Sequence, residues 1–179
     1  MTSEELVEPE QWLIEFLRRE TQAHAQLSRL SDSRYSCTAE LLLDHGRLFT
    51  PASAVVGAGT HPSGCAARSA STAAPLSAGL LYVEGWAWGT RRPALRAWSA
   101  TADGRAQDFT CPRQARAYLG LPLTTETMVT LVVEQSVPLL PGDGMLTPTI
   151  LQWLRNGVPE GALADAGRPV PGGAEGLRD

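Results

Sequence analysis

The stretch from Tyr82 to Thr110, YVEGWAWGTRRPALRAWSATADGRAQDFT, constrains the fold more than any other part of the chain. Apolar and polar positions alternate through two segments joined by a short basic turn, and period-two alternation is the pattern of a half-buried strand. Within 80–88, Tyr82, Glu84, Trp86 and Trp88 fall on one face, with Leu81, Val83, Gly85 and Ala87 on the other. GTRRP reverses the chain, 94–101 returns with Arg96 and Trp98 sharing a face, and Asp103-Gly104 is a tight-turn pair leading into 105–110. The pattern predicts a three-stranded antiparallel meander. One hairpin register places Glu84 opposite Arg96 and the next in-phase register makes them diagonal neighbours, so a cross-strand ion pair is expected, with Asp108 as a second partner.

Helical signals precede this sheet. Trp12, Leu13, Phe16 and Leu17 make an apolar stripe over 9–30, and Pro9 suits a first helical turn. Ser36 offers an N-cap to CTAELLLDH, placing Cys37 at the first helical position, and Gly46 reads as a left-handed C-cap. Beyond the meander, CPRQARAYLG reads as a short helix, MVTLVVEQ (128–135) as a strand, and TPTILQWLRNG (147–157) as a last helix capped by Thr147. The fold class expected is α+β, with N-terminal helices packed on an antiparallel sheet of about four strands.

Two regions lack the bulk to fold. Of the 30 residues in 50–79, 21 are Ala, Gly, Ser or Pro, with no aromatic residue, and a mobile insertion is expected there, holding His61 and Cys65. The chain after Gly157 is rich in Gly, Pro and Ala. The domain reading is therefore a single α+β domain over 1–157 and a disordered tail over 158–179.

Composition excludes several chemistries. All 15 basic residues are arginine, so a Schiff-base lysine, a pyridoxal phosphate anchor and a phosphate-loop lysine are ruled out. A net charge of −4 argues against a general nucleic-acid binder. Arg91, Arg92, Arg96, Arg105, Arg113 and Arg116 nonetheless outnumber Glu84, Asp103 and Asp108 in 81–120, a field that favours an anionic small molecule or acidic peptide. No apolar run approaches the roughly 20 residues that span a bilayer, and the N-terminus lacks a secretory pattern, so a cytoplasmic protein without membrane contact is expected. Cys37, Cys65 and Cys111 are expected as free thiols, and His24, His45 and His61 are scattered, so neither a zinc site nor any cofactor is expected.

A cysteine at a helix start followed by an antiparallel sheet has chemical meaning, because the helix's positive end favours the thiolate. Cys37-Thr38-Ala39-Glu40, Tyr82-Val83-Glu84-Gly85-Trp86-Ala87, Arg96-Ala97-Trp98, Asp103-Gly104, Asp108-Phe109-Thr110 and Tyr118-Leu119-Gly120 together resemble a pattern of small phage and bacterial proteins. Those proteins are in turn similar to the papain-like and transglutaminase-like cysteine fold. The resemblance covers about 35–125, interrupted by 50–79. It implies Cys37 as nucleophile and Asp108 as the acid that orients the base. Where the pattern has histidine, this chain has Arg96. A guanidinium stays protonated near neutral pH and cannot act as a general base, so the ordinary cysteine-hydrolase mechanism fails at that position.

Three functions remain open from the residues. The first is a degenerate papain/transglutaminase-like domain that binds a peptide or small anionic ligand without robust catalysis, using Arg96, Glu84, Trp86 and Trp98. The second is an active thiol hydrolase or acyltransferase, with Cys37 as nucleophile, Asp108 as orienter and His61 supplying the base. The third is an assembly protein of a phage or mobile element, whose sheet aromatics face a partner chain. The oligomeric state stays open.

Overall fold

The computed structural model describes residues 3–27, 33–52, 69, 79–89, 92–108, 115–134, 138–140 and 146–172. The fold is mixed α+β. Helices α1 (Ser3–Leu27) and α2 (Thr38–His45) precede strand β1 (Arg47–Pro51). Strands β2 (Leu80–Trp88), β3 (Pro93–Thr101), β4 (Arg105–Gln107) and β5 (Ala117–Leu123) follow. Helix α3 (Thr125–Met128) continues as a π-helical stretch, Val129–Glu134, and helix α4 (Pro148–Asn156) and a short β6 (Arg168–Pro169) complete the described elements. No helix among the described residues is long and apolar enough to cross a membrane.

The meander forms as its alternation requires. Strands β2 and β3 pair from Leu80↔Thr101 to Trp88↔Pro93, and β3 pairs with β4 through Ser99↔Gln107 and Ala100↔Ala106. Gly104 takes the positive φ, +82°, that an Asp-Gly turn needs, and its N–H donates to the Thr101 carbonyl. The full order is β4-β3-β2-β5-β1-β6. A parallel contact of Thr50 with Arg105 and Pro51 with Ala106 joins β1 back to β4 and closes five of the strands into a small barrel.

Two cores result. Inside the barrel, Trp98 packs on Phe49 and Tyr118, with Ala87, Ala100 and Ala106 leaving the room such large rings need. Outside it, Leu13, Ile14 and Leu17 of α1 and Leu41 and Leu42 of α2 cover Leu119, Leu121 and Leu123 of β5. Each such side chain contributes roughly 1.5–3 kcal/mol by leaving water. Trp12 lies 5.6 Å from Trp88 and Phe16 lies 5.0 Å from Trp86, ring centre to ring centre, so these sheet aromatics pack against α1.

Several expectations are corrected. Helix α1 begins at Ser3 and its assigned span ends at Leu27, so Pro9 lies within it. Cys37 is the N-cap of α2 and not its first helical residue. Gly46 has φ −66°, which is not left-handed; its glycine serves close packing instead, since a Cβ there would stand 2.3 Å from the Leu42 carbonyl oxygen.

Residues 117–120, read as helix, belong to β5. All seven residues of that strand are buried, and a strand buried on both faces shows no alternation. Gly120 sits opposite Gly85, where a Cβ on Gly85 would come within 2.3 Å of the Gly120 Cα, so the pair permits the two strands' close approach.

Residues 128–134, read as strand, are helical. Met128, Leu131 and Val132 are buried at helical spacing, and the Thr124 hydroxyl caps the turn by accepting from the Thr127 N–H. The tail reading fails over 158–172, where β6 pairs with β1 and the Ala164 N–H donates to the Pro122 carbonyl. Within 50–79, Thr50 and Pro51 belong to β1, and Ser69 is fully buried against β3, its hydroxyl donating to the Ala97 carbonyl. His61, Cys65 and Cys111 lie outside the described residues, as does most of that segment.

Candidate functional site

The residues singled out in the sequence are divided between two faces of the sheet. Register places Glu84 opposite Ala97 and Gly85 opposite Arg96, so Glu84 and Arg96 point to opposite sides and the expected ion pair does not form. Arg96 is half-buried and shares the inner face with Trp98, which is fully enclosed in the barrel core. Asp108, one residue past β4, is 1 % exposed and continues the alternation that turns Ala106 inward. Cys37 belongs instead to the core outside the barrel, at 7 % exposure. Among the described residues its Sγ meets two hydroxyls, Ser36 Oγ at 3.9 Å and Thr21 Oγ1 at 4.0 Å. The Glu40 carboxylate turns back to accept from the Ser36 N–H and hydroxyl, each at 2.6 Å, which fixes the entry to α2.

Glu84 is held by groups other than those expected. Its Oε1 accepts from the Tyr82 hydroxyl at 2.5 Å and the Leu139 N–H at 2.9 Å, and its Oε2 accepts from the Leu140 N–H at 2.7 Å. Burial pushes this carboxyl above the ordinary range, while the three hydrogen bonds pull it back only in part. It fastens the 138–140 segment to the sheet.

A second constellation stands at the far end of α2. The Tyr35 hydroxyl lies 2.5 Å from Asp44 Oδ2 and 2.6 Å from His45 Nε2. Tyr35 reaches them because its own N–H donates to the Leu154 carbonyl and the N–H of Arg34 to that of Arg155, which anchors 34–35 on α4. The Arg34 guanidinium stands 5.5 Å from the centre of the Tyr35 ring. Asp44, His45 and Arg47 then line a cleft of about 280 Å³ whose other wall is Pro122, Val158, Pro159, Gly161, Leu163 and Ala164.

The hydrogen-bond inventory assigns the protons. Asp44 as carboxylate accepts only, so the phenol donates to it; the phenolic oxygen then accepts from His45 Nε2–H, which leaves Nδ1 as the imidazole's lone-pair nitrogen. Burial, helped by the Asp44 contact, pushes the Tyr35 phenol up to about 12, so it stays protonated. Burial also lowers His45 below the ordinary histidine range; Asp44 opposes that shift, and Arg34 and Arg47 add to it. The imidazole is thus neutral at pH 7. Of the side chains lining the cleft, Arg47 brings a guanidinium, whose planar fork suits a carboxylate or phosphate, and Asp44 a carboxylate.

Sequence reasoning missed this group. Asp44-His45 reads as the unremarked end of a helix, and Tyr35 lies nine residues before Asp44 with no motif linking them. No protein-family model, curated protein or solved structure matches the chain.

Proposed function

We propose that this protein is a disarmed relative of the papain/transglutaminase-like cysteine scaffold that binds a small anionic ligand, or the carboxylate end of a peptide, without robust turnover. The observation that carries the binding role is the cleft in which Arg47 and a neutral His45 stand beside the Tyr35–Asp44 pair. Arg47 supplies the planar fork that matches a carboxylate or phosphate. His45 is held in one tautomer by Tyr35, which takes its Nε2–H and leaves Nδ1 an acceptor, so the imidazole shapes the cleft wall and Arg47 supplies the donors to the anion.

Kinship with the cysteine scaffold is supported by the order of parts: Cys37 starting a helix that packs on the sheet, then β2, β3 carrying Arg96, and β4 with Asp108 just past its end. Loss of turnover is supported by Arg96 in place of histidine and by the hydroxyl neighbours of Cys37, neither of which can take up its proton near neutral pH.

The test is calorimetric titration of the full chain with acetate and with inorganic phosphate, paired with alkylation of Cys37 by iodoacetamide at pH 6. The expected result is saturable anion binding weakened at least about tenfold in Arg47→Gln, as loss of a charge-assisted hydrogen bond implies, with Cys37 no faster than a model thiol. Anion binding indifferent to Arg47→Gln rejects the cleft, and rapid alkylation at pH 6 restores the thiol enzyme.

A further inference from the structure

The cleft beside Arg47 is lined by acceptors as well as by a donor. Asp44 Oδ2 takes the Tyr35 hydroxyl, and a carboxylate has a second oxygen with lone pairs of its own. His45 gives its Nε2–H to the same phenol, which leaves a lone pair on Nδ1. Among the described residues neither Asp44 Oδ1 nor His45 Nδ1 has a hydrogen-bond partner, and neither atom is sealed in the core. The His45 and Asp44 side chains are 28 % and 18 % exposed, and both line the cleft. Arg47 is the cation among the lining residues, and among the described residues it makes no ion pair.

An anion that only accepts hydrogen bonds fits half of this set. Its charge is favoured at the Arg47 fork, but it also meets the Asp44 carboxylate and the imidazole lone pair, which repel it. A donor on the anion turns that repulsion into hydrogen bonds, the one to Asp44 being charge-assisted. The protein cannot exchange these acceptors for donors. Tyr35 fixes the tautomer of His45, and a carboxylate has no hydrogen to offer.

From this arrangement we infer that the ligand of the cleft is an oxyanion carrying its own hydrogen-bond donor beside the charge, with the anion at Arg47 and the donor at the free lone pairs of Asp44 and His45. A hydroxy acid, a hydrogen phosphate and the end of a peptide, whose last amide N–H stands beside its carboxylate, share this chemistry. The anion's place at Arg47 rests on the function proposed above.

The experiment titrates the full chain calorimetrically with anion pairs matched in size and charge that differ in the donor. The pairs are hydrogen phosphate and sulfate at pH 8, glycolate and propionate, and N-acetylglycine and levulinate, in which a methylene replaces the amide N–H. For the class that the cleft takes, the member with the donor is expected to bind at least about tenfold more tightly, the loss for one charge-assisted hydrogen bond. The pair that separates identifies the class. Arg47→Gln is expected to weaken both members of that pair and leave their ratio unchanged. Asp44→Asn, whose amide oxygen can keep the Tyr35 hydroxyl while its nitrogen puts a donor in place of Oδ1, and His45→Phe are each expected to shrink the ratio. Binding that requires Arg47 but is equal within every pair overturns the donor requirement and leaves the anion cleft standing. A ratio unchanged in both Asp44→Asn and His45→Phe overturns it as well. Failure of all these anions, together with acetate, overturns both the donor requirement and the cleft.

Discussion

Glu84 and Asp44 make the same contact in opposite surroundings. Each carboxylate takes a tyrosine hydroxyl at 2.5 Å, Glu84 from Tyr82 and Asp44 from Tyr35. Glu84 is sealed among β2 and the 138–140 segment, and its remaining partners are backbone N–H groups. Asp44 stands at the rim of a cleft, and its tyrosine is shared with an imidazole. A buried carboxylate whose lone pairs are consumed by backbone donors has no capacity left for a ligand, so it fixes the fold. One that orients a half-exposed histidine beside an arginine orders groups a ligand can reach. The difference lies in what else the pair touches, and it separates a staple from a site.

The largest effect that would break this contrast is Glu84→Ala. It removes the acceptor shared by the Tyr82 hydroxyl and the buried Leu139 and Leu140 N–H groups, and should cost roughly 3–5 kcal/mol in urea unfolding. The folded fraction should still bind acetate with unchanged affinity. A cost under about 1 kcal/mol, or a loss of binding, would make Glu84 the site and Asp44 the bystander.

Tyr35→Phe follows in size. It removes the hydroxyl that joins Asp44 to His45, and should cost about 1–3 kcal/mol while freeing the imidazole to rotate. Anion affinity should fall together with stability, whereas Tyr82→Phe should lower stability alone. Equal effects of the two substitutions on binding would erase the distinction.

How far the sequence carried these assignments depended on whether the determining contacts were local. The meander was readable because β2 and β3 each alternate, and alternation is a property of neighbouring residues. Strand β5 was not, since AYLGLPL is buried on both faces and its Gly120 and Pro122 imitate a helix stop. Met128–Glu134 misled through its valines and threonine, which favour strands until packing decides otherwise. Glu84 was expected to pair across the strands, but two of its three partners lie 55 and 56 residues away, where no local pattern points to them. The Tyr35–Asp44–His45 group depends on α4 holding 34–35 in position, and nothing near residue 35 announces that contact.

Titration sharpens the contrast by direction. Burial raises the folded-state pKa of Glu84, so the folded protein holds that proton more tightly than the unfolded chain. Its contribution to stability is full below the ordinary glutamate range and falls as pH climbs through the interval up to the raised value. His45 runs the other way: its folded-state pKa is lowered, so its contribution is full above the ordinary histidine range and is lost as pH falls toward the lowered value. Thermal midpoints measured from acid to neutral pH should therefore show a steeper gain with rising pH in Glu84→Gln than in the parent, and a shallower one in His45→Gln. Parallel profiles for all three proteins would mean that neither group titrates differently on folding.

The smallest effect belongs to Cys37→Ser, and its smallness is informative. Serine is among the best N-cap residues, worth up to about 1 kcal/mol over a poor cap, and Cys37 occupies the N-cap without making a side-chain cap bond. Against that gain stands the cost of burying a hydroxyl in a core of leucines, moderated by Thr21 and Ser36, whose own hydroxyls lie within reach of the sulfur's position. The two terms are of similar size and opposite sign, so unfolding free energy should change by less than about 1 kcal/mol. Acetate affinity should not change at all, because the sulfur belongs to the helix-side core and the cleft lies past the other end of α2. A drop in anion affinity in Cys37→Ser, with the fold intact by circular dichroism, would join the two ends of that helix into one site and return the thiol to the chemistry.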